Sequence, residues 1–127
     1  MTTRVLLVED NPILAELMVR RLTRRGYSVD IAIDAEEALS LVESNPPALI
    51  LMDMNLPGMD GWTATSRLRQ LPQTQETPII ALSAHAMVHH REAAIAAGCN
   101  DYVTKPINLD ELLLKMTFYR DKATGAD

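Results

Sequence analysis

The sequence predicts an α/β fold in which a parallel β-sheet is covered by helices on both faces. Short runs of consecutive apolar residues, such as 5–8, 48–52 and 79–82, are typical of strands that are buried on both sides. Each strand is followed by a segment with helical periodicity, and this strand–helix pattern occurs five times with short connections. Such alternation indicates parallel strands joined by crossover helices.

The first strand–helix unit carries clear boundary signals. The strand Val5–Val8 is followed by Asn11, a favourable helix N-cap, and by Pro12 at the first helical position. We expect the helix to end near Gly26. Its apolar residues recur on one predicted face, and they are Ile13, Leu14, Leu17, Met18 and Leu22.

The second and third strands differ in pattern. Residues 27–32 alternate between apolar and polar side chains, which is typical of a strand near a sheet edge. Asp34 and Glu37 form a capping box that opens the second helix, and residues 45–47 (Asn-Pro-Pro) end it. The third strand is apolar throughout and ends at Asp53.

The remaining units are predicted from similar signals. We expect helices over residues 62–71 and 86–97, the second closed by Gly98. A short strand at residues 102–103 precedes a last helix, which is opened by Asn108 with Glu111. From Lys122 to the end, the chain is expected to be a frayed tail.

Length, charge and cysteine content restrict the class of protein. We expect residues 1–127 to form one domain with no output domain. The net charge of −5 argues against nucleic acid as the main partner. The single Cys99 is consistent with a reducing compartment, and no apolar run is long enough to span a membrane. The expected location is therefore the cytoplasm.

Polar side chains follow four of the predicted strands. Glu9 and Asp10 follow the first, Asp53 the third, Ser83 the fourth and Lys105 the fifth. Because parallel strands end at the same edge of a sheet, these groups should lie together. Lys105 offsets part of the carboxylate charge, and a divalent cation would offset the rest. Oxygen ligands without Cys or His select Mg²⁺, with Mn²⁺ as a second choice.

This combination of groups fits phosphoryl transfer to a carboxylate. Asp53 would be the nucleophile and needs no general base, because a carboxylate is already deprotonated at neutral pH. Lys105 and the cation would neutralise charge on the phosphoryl oxygens, and the Ser83 hydroxyl would donate a hydrogen bond to one of them. The sequence therefore predicts an aspartyl-phosphate.

The same residues stand in the order and spacing of a known family. With the acidic pair, the segment from Asp53 to Gly61, Ser83-Ala84 and Lys105-Pro106, the chain resembles response-regulator receiver domains of two-component signalling. The resemblance implies a flavodoxin-like (βα)5 fold with strand order 2-1-3-4-5. It also implies a cis bond between Lys105 and Pro106.

Further roles are implied by the resemblance alone. A histidine kinase or phosphotransfer protein would phosphorylate Asp53, and the domain would not otherwise act as an enzyme. Asp10, Asp53 and the Asn55 carbonyl would bind Mg²⁺, with Glu9 acting through water. Ser83 and Tyr102 would form the switch, and Tyr102 would turn from exposed to buried.

The resemblance also suggests two interaction surfaces. A downstream protein would bind the face formed by Ala86–Ala97, Tyr102 and Leu109–Tyr119. Kinases and phosphotransfer proteins of the family usually contact the first helix, whose end carries a group of arginines: Arg20, Arg21, Arg24 and Arg25. These arginines can also be explained without a partner, because positive charges at the solvated C-terminal end of a helix interact favourably with the helix dipole.

Two other functions are alternatives to this interpretation. One is a small Mg²⁺-dependent phosphohydrolase that works through an aspartyl-phosphate. Such enzymes often carry a second acid two residues after the nucleophile, where this chain has Asn55, and no cap region is visible to hold a substrate. The other is a scaffold that works without phosphorylation, and the complete set of strand-end groups argues against it.

Overall fold

A computed structural model describes residues 2–85 and 87–123 of the chain. Five parallel strands form one sheet in the order β2-β1-β3-β4-β5, which confirms the predicted flavodoxin-like topology. Strands and helices alternate along the whole described chain. Their bounds are β1 Thr3–Val8, α1 Pro12–Arg24, β2 Tyr27–Ala32, α2 Ala35–Ser44, β3 Leu49–Asp53, α3 Gly61–Gln70, β4 Ile79–Ser83, α4 Val88–Ala97, β5 Asp101–Thr104 and α5 Leu109–Ala123.

The sheet separates two apolar layers because successive side chains of a strand point to opposite faces. Helices α2, α3 and α4 cover one face and bury side chains such as Val42, Leu68 and Ala94. Helices α1 and α5 cover the other face with side chains such as Leu22 and Leu112. The central strands β1 and β3 are therefore enclosed on both sides, and polar residues stand at their carboxyl ends.

The predicted helix caps are present. The Asn11 side chain accepts hydrogen bonds from the N–H groups of Ile13 and Leu14 at the start of α1. Asp34 accepts from the N–H of Glu37, whose carboxylate in turn accepts from the N–H of Ile33. These bonds satisfy N–H groups that have no partner within the helix. They fix where each helix starts relative to the preceding strand.

Some boundaries differ from the prediction. Helix α4 begins at Val88, and Ala86 lies outside the described residues. The N–H of His85 donates to Oγ of Ser83. Helix α5 continues through Lys122 to Ala123, so the predicted fraying from Lys122 is wrong there. Basic residues in its last turn interact favourably with the helix dipole and stabilise this end of the helix. Residues 124–127 lie outside the described part of the chain.

The predicted inward face of α1 is partly wrong. Ala15, Met18 and Leu22 are buried, whereas Ile13 is 81% exposed and Leu17 is 47% exposed. Both exposed side chains line a groove between α1 and the chain that connects β5 to α5, where no other element of the described residues covers them. Within the described residues, no helix combines the length and apolarity needed to cross a membrane.

Candidate functional site

Three carboxylates meet where β1 and β3 end side by side. Glu9, Asp10 and Asp53 each offer one oxygen, and these oxygens lie within 4.8 Å of one another. The Glu9 and Asp53 side chains are only 1% and 2% exposed, whereas Asp10 is exposed. The three acids lie together at one sheet edge, as the strand-end argument predicted, and two of them are buried behind one that is open to solvent.

Lys105 brings a positive charge to these acids. Its Nζ lies 3.2 Å from Oε1 of Glu9 and 3.4 Å from Oδ1 of Asp53. The Lys105 N–H donates to the Ser83 carbonyl at 2.6 Å, which ties the end of β5 to the end of β4. The Lys105–Pro106 bond is cis, which confirms the prediction. The ammonium of Lys105 thus contacts two of the three carboxylates.

The electrostatic balance is visible in Glu9. Burial raises the pKa of its carboxyl group, and the nearby Asp53 charge raises it further. A hydrogen bond from the Asn11 N–H and the Lys105 ammonium act in the opposite direction, but the pKa of Glu9 stays raised. Independently of this pKa, the site holds three carboxylates and one ammonium, and this imbalance favours a further cation at its open side.

The connection after β3 packs closely against the cluster. The N–H of Asn55 donates to Oδ1 of Asp53 at 2.9 Å, which orients the carboxylate. Gly61 lies so close that an added Cβ would come within 2.5 Å of the Met54 Cα and 2.7 Å of the Asp53 carbonyl oxygen. Backbone atoms cannot give way cheaply, so this position requires glycine. Gly61 therefore allows the connection to fold back under the acidic residues.

Ser83 and Tyr102 are linked through the start of the β4–α4 connection. Ser83 is buried at the end of β4, and its Oγ accepts the His85 N–H at 3.1 Å. The Tyr102 hydroxyl donates to the His85 carbonyl, and the ring is only 5% exposed. Tyr102 thus already lies inward in this structure. Both residues therefore bind the backbone of His85.

Two contacts of the site are not predicted by the sequence patterns. Asn11 was identified only as a helix cap, yet its N–H also donates to Oε2 of Glu9 at 3.1 Å. Its place two residues after the acid is a signal that could have revealed this. The Asn55 side chain accepts from the Ala84 N–H at 3.5 Å and so joins the connection after β3 to the one after β4. That contact depends on tertiary structure alone.

Comparison with known proteins identifies this arrangement. The family model for the response regulator receiver domain matches residues 5–117. The chain belongs to this family. A putative response regulator from Chloroflexus aurantiacus superposes with a TM-score of 0.90 at 35% identity, covering 94% of this chain and 98% of that one. Receiver domains are phosphorylated by histidine kinases in two-component systems, and they act as phosphorylation-controlled switches.

Two further relatives bear on the site and on chain length. The receiver domain of a sensor histidine kinase from Pseudomonas aeruginosa, 36% identical with a TM-score of 0.87, was crystallised with magnesium in its active site cleft. The match covers 94% of this receiver domain and 98% of that chain. The transcriptional regulatory protein TcrA of Mycobacterium tuberculosis is 39% identical over 113 residues, which are 89% of this chain and 44% of TcrA. The chain spans about half the length of several curated relatives.

Proposed function

We propose that this receiver domain accepts a phosphoryl group on Asp53 from a phosphohistidine of a kinase or phosphotransfer protein. The observation that carries the proposal is the position of Lys105, 3.4 Å from a buried Asp53 that shares its site with two more carboxylates. Burial of a carboxylate beside a lysine and other acids is expected where charge must be balanced during a reaction. A purely structural carboxylate would not need the two additional acids.

The residues divide the chemistry among them. A carboxylate oxygen of Asp53 attacks phosphorus, so that a phosphorus–oxygen bond forms while the phosphorus–nitrogen bond to the donor histidine breaks. Lys105 neutralises charge on the phosphoryl oxygens, and the Ser83 hydroxyl donates a hydrogen bond to one of them. The domain performs this reaction on itself, and we propose no other substrate.

The acidic cluster fits a magnesium ion. Its ligands would be the carboxylates of Asp10 and Asp53 and the Asn55 carbonyl, with Glu9 acting through water. The set consists of oxygen donors only, which suits Mg²⁺ and also admits Mn²⁺. When bound, the ion supplies positive charge that stabilises the transferring phosphoryl group. Asp10, which is exposed, leaves the approach for the ion and the phosphoryl donor open.

We further propose that phosphorylation is read by a downstream protein at the face formed by residues 86–97, Tyr102 and Leu109–Tyr119. Tyr102 connects the site to this face because its hydroxyl contacts the connection that begins at Ser83. The face also contains an ion pair between Lys115 and Asp101 at 2.8 Å. With its net charge of −5, the chain favours a protein partner over nucleic acid.

Phosphorylation by a small donor tests the assignment without a kinase. Incubation with acetyl phosphate and Mg²⁺ should add one phosphoryl group that hydroxylamine removes, as expected for an acyl phosphate. Mass spectrometry should show this group on the unmodified protein and on Asp110→Asn, an exposed control. Asp53→Asn should carry none. Full labelling of Asp53→Asn at another residue would contradict the assignment.

A further inference from the structure

Three histidines are packed together at the start of α4. The ring centroids of His85 and His90 lie 4.5 Å apart with the rings 15° from parallel, and those of His89 and His90 lie 4.1 Å apart at 38°. His90 is thus the central ring. Within residues 2–85 and 87–123, only the acidic cluster brings three possible metal ligand atoms together. A shared metal ion therefore does not explain the packing of the three rings.

The first turn of α4 has few other contacts. Met87 stands at the N-cap position and makes no side-chain hydrogen bond to the helix, whereas α1, α2 and α3 are each capped by an Asn or Asp side chain. Met87 and Val88 are 61% and 69% exposed, and the buried residue of α4 lies further along, at Ala94. Segments with few buried contacts open most readily. The histidine rings therefore supply much of the packing of this turn.

His85 connects these rings to the two switch residues. Its own ring packs on His90, while its N–H donates to Oγ of Ser83 and its carbonyl accepts from the Tyr102 hydroxyl. His85 is thus bound through its side chain to α4 and through its backbone to β4 and β5. A change in the packing of the rings would consequently reach Ser83 and Tyr102 without any event at Asp53.

Protonation of His90 disfavours this arrangement for three reasons. Its Nδ1 is buried and has no hydrogen-bond partner among the described residues, and in an imidazolium this nitrogen carries a proton that needs an acceptor. Positive charges on neighbouring rings repel one another. His89 and His90 also lie in the first turn of α4, where the helix dipole opposes positive charge. The arrangement therefore suits neutral imidazoles.

Other charged groups on and around α4 do not offset a charge on His90. Burial and the rings of His89 and His85 lower the pKa of His90 from its ordinary value of 6.5, and within the described residues no carboxylate counteracts them. Asp60 caps α3, and Asp101 pairs with Lys115. The titratable and charged groups of α4 and of the elements packed against it are Asp60, Arg67 and Arg69 of α3, Arg91 and Glu92 of α4, and Asp101 and Tyr102 of β5.

We propose that His85, His89 and His90 form a pH-sensitive clamp that holds the start of α4 at neutral pH and releases it below about pH 6. The folded clamp binds fewer protons than the open segment, so the free energy that keeps it closed decreases as pH falls. Release would free His85 from α4 and weaken its contact with Tyr102. Acidification would then loosen the segment that phosphorylation is expected to hold inward, and only this last consequence rests on the proposed function.

Amide hydrogen exchange measures the state of the histidine clamp. The N–H groups of His90 and Arg91 both donate to the Met87 carbonyl in the first turn of α4. With a chelator present, and after correction for the intrinsic effect of pH on exchange, their protection should fall about tenfold from pH 7.5 to pH 5.0. The Ala64 N–H, which donates to the Asp60 carbonyl at the start of α3, should keep its protection. Equal protection of the two α4 amides at both pH values would overturn the proposal.

His90→Gln and His90→Lys form a matched pair at the central ring. Glutamine stays neutral, so His90→Gln should lose most of the dependence of protection on pH. Lysine is charged throughout this range, so His90→Lys should have low protection already at pH 7.5. The proposal is wrong if His90→Gln responds to pH as strongly as the unmodified protein, or if His90→Lys is fully protected at pH 7.5.

A third variant separates the clamp from Glu9, the other group near the site with a shifted pKa. The pKa of Glu9 is raised, so its effect on stability is opposite in sign to that of His90. Glu9→Gln should therefore keep the loss of α4 protection at pH 5.0. If that loss disappears in Glu9→Gln, the response belongs to the acidic cluster and the clamp proposal is overturned.

Two more measurements distinguish the clamp from other functions. If one equivalent of Zn²⁺ raises the protection of the α4 amides at pH 7.5, and His90→Gln abolishes this effect, the rings bind a metal ion and the proposal is wrong. Acetyl phosphate labelling of Asp53 tests the proposed function separately. Absence of labelling together with the expected exchange results would overturn the proposed function and leave the pH-sensitive clamp established.

Discussion

The ammonium group of Lys105 lies between two buried carboxylates, 3.2 Å from Oε1 of Glu9 and 3.4 Å from Oδ1 of Asp53. These contacts join the ends of β1, β3 and β5 at one point. They also leave Asp10 as the acid at the solvent side of the cluster. The geometry therefore distinguishes the two members of the acidic pair, and this difference leads to the first prediction.

Mg²⁺ affinity should depend on Asp10 more than on Glu9. Glu9 is already occupied by Lys105 and by the Asn11 N–H, whereas Asp10 is exposed and can bind an ion directly. We expect Asp10→Asn to weaken binding at least tenfold, and Glu9→Gln to have a smaller effect because contact through water is weaker. Calorimetric titration measures both, with Asp110→Asn as the control. Equal losses for the two substitutions would contradict the prediction.

The fold and the centre of the site could be predicted because each depends on local sequence. A strand that is apolar at consecutive positions is typical of the inside of a parallel sheet, and its first polar residue then marks the sheet edge, as at Asp53. Exposure on α1 could not be predicted in this way. Periodicity shows that Ile13 and Leu17 share a side of the helix with apolar neighbours, but whether another element covers them depends on tertiary packing.

Long-range side-chain contacts were equally invisible in the sequence. Nothing in the sequence distinguishes Arg69 from other residues at an exposed helix end, yet its guanidinium binds both Thr77 and the segment 98–100. The contact between Tyr102 and His85 is a second case, because it requires the connection after β4 to lie over β5. Such contacts follow from tertiary packing, and no spacing rule predicts them.

The stability of the metal-free protein should fall as pH rises above the ordinary carboxyl pKa of 4.5. Burial raises the pKa of Glu9, so the native state keeps a proton that the unfolded chain has already lost. The native state then binds more protons, and the free energy of unfolding decreases with pH up to the raised pKa. Urea unfolding with a chelator present, over a series of pH values, measures this slope.

The contribution of Glu9 is obtained as a difference between variants. In Glu9→Gln, the free energy of unfolding should fall less steeply with pH than in the unmodified protein. In Glu43→Gln, an exposed substitution on α2, the dependence on pH should be unchanged. Asp101 does not contribute to the fall in stability above pH 4.5. Burial tends to raise its pKa, but Lys115, the Tyr102 N–H and Tyr119 lower it overall, so its stabilisation is lost only below the ordinary value of 3.8. An unchanged slope in Glu9→Gln would refute the assignment.

Arg69 should contribute strongly to stability although it lies outside the site. Its guanidinium donates to the carbonyls of Thr74, Thr77 and Gly98 and to the Asn100 side chain, over distances of 2.6 to 2.9 Å. Hydrogen bonds from a charged donor each contribute about 1.5–3 kcal/mol and are not additive. We expect Arg69→Ala to lower the free energy of unfolding by about 2–4 kcal/mol.

Two further substitutions show whether stability depends on the several N–H donors of the guanidinium or on its charge alone. Arg69→Lys keeps the charge but has a single ammonium, so it should recover less than half of the loss. Arg67→Ala, an exposed substitution two residues away, should change stability by less than about 0.5 kcal/mol. Chemical denaturation of the three variants provides the measurement. Full recovery in Arg69→Lys would show that charge alone is sufficient.

The last prediction concerns the switch formed by Ser83 and Tyr102. In the structure both residues bind His85, Ser83 through the His85 N–H and Tyr102 through the His85 carbonyl. A phosphoryl group on Asp53 would offer the Ser83 hydroxyl a charged acceptor. Such a bond contributes about 1.5–3 kcal/mol, which shifts a two-state equilibrium by about one to two powers of ten. Phosphorylation should therefore hold the connection and the Tyr102 ring inward.

Ser83→Ala tests this coupling because it removes the hydroxyl and leaves Asp53 and Lys105 in place. The variant should still accept a phosphoryl group from acetyl phosphate, but the amides of residues 84–90 and the Tyr102 ring should show much smaller NMR shift changes than in the unmodified protein. Tyr102→Phe should keep the amide changes near Ser83, since it removes only the hydroxyl that binds His85. If Ser83→Ala shows the full response on phosphorylation, the signal reaches Tyr102 by another route, even with Asp53 correctly assigned.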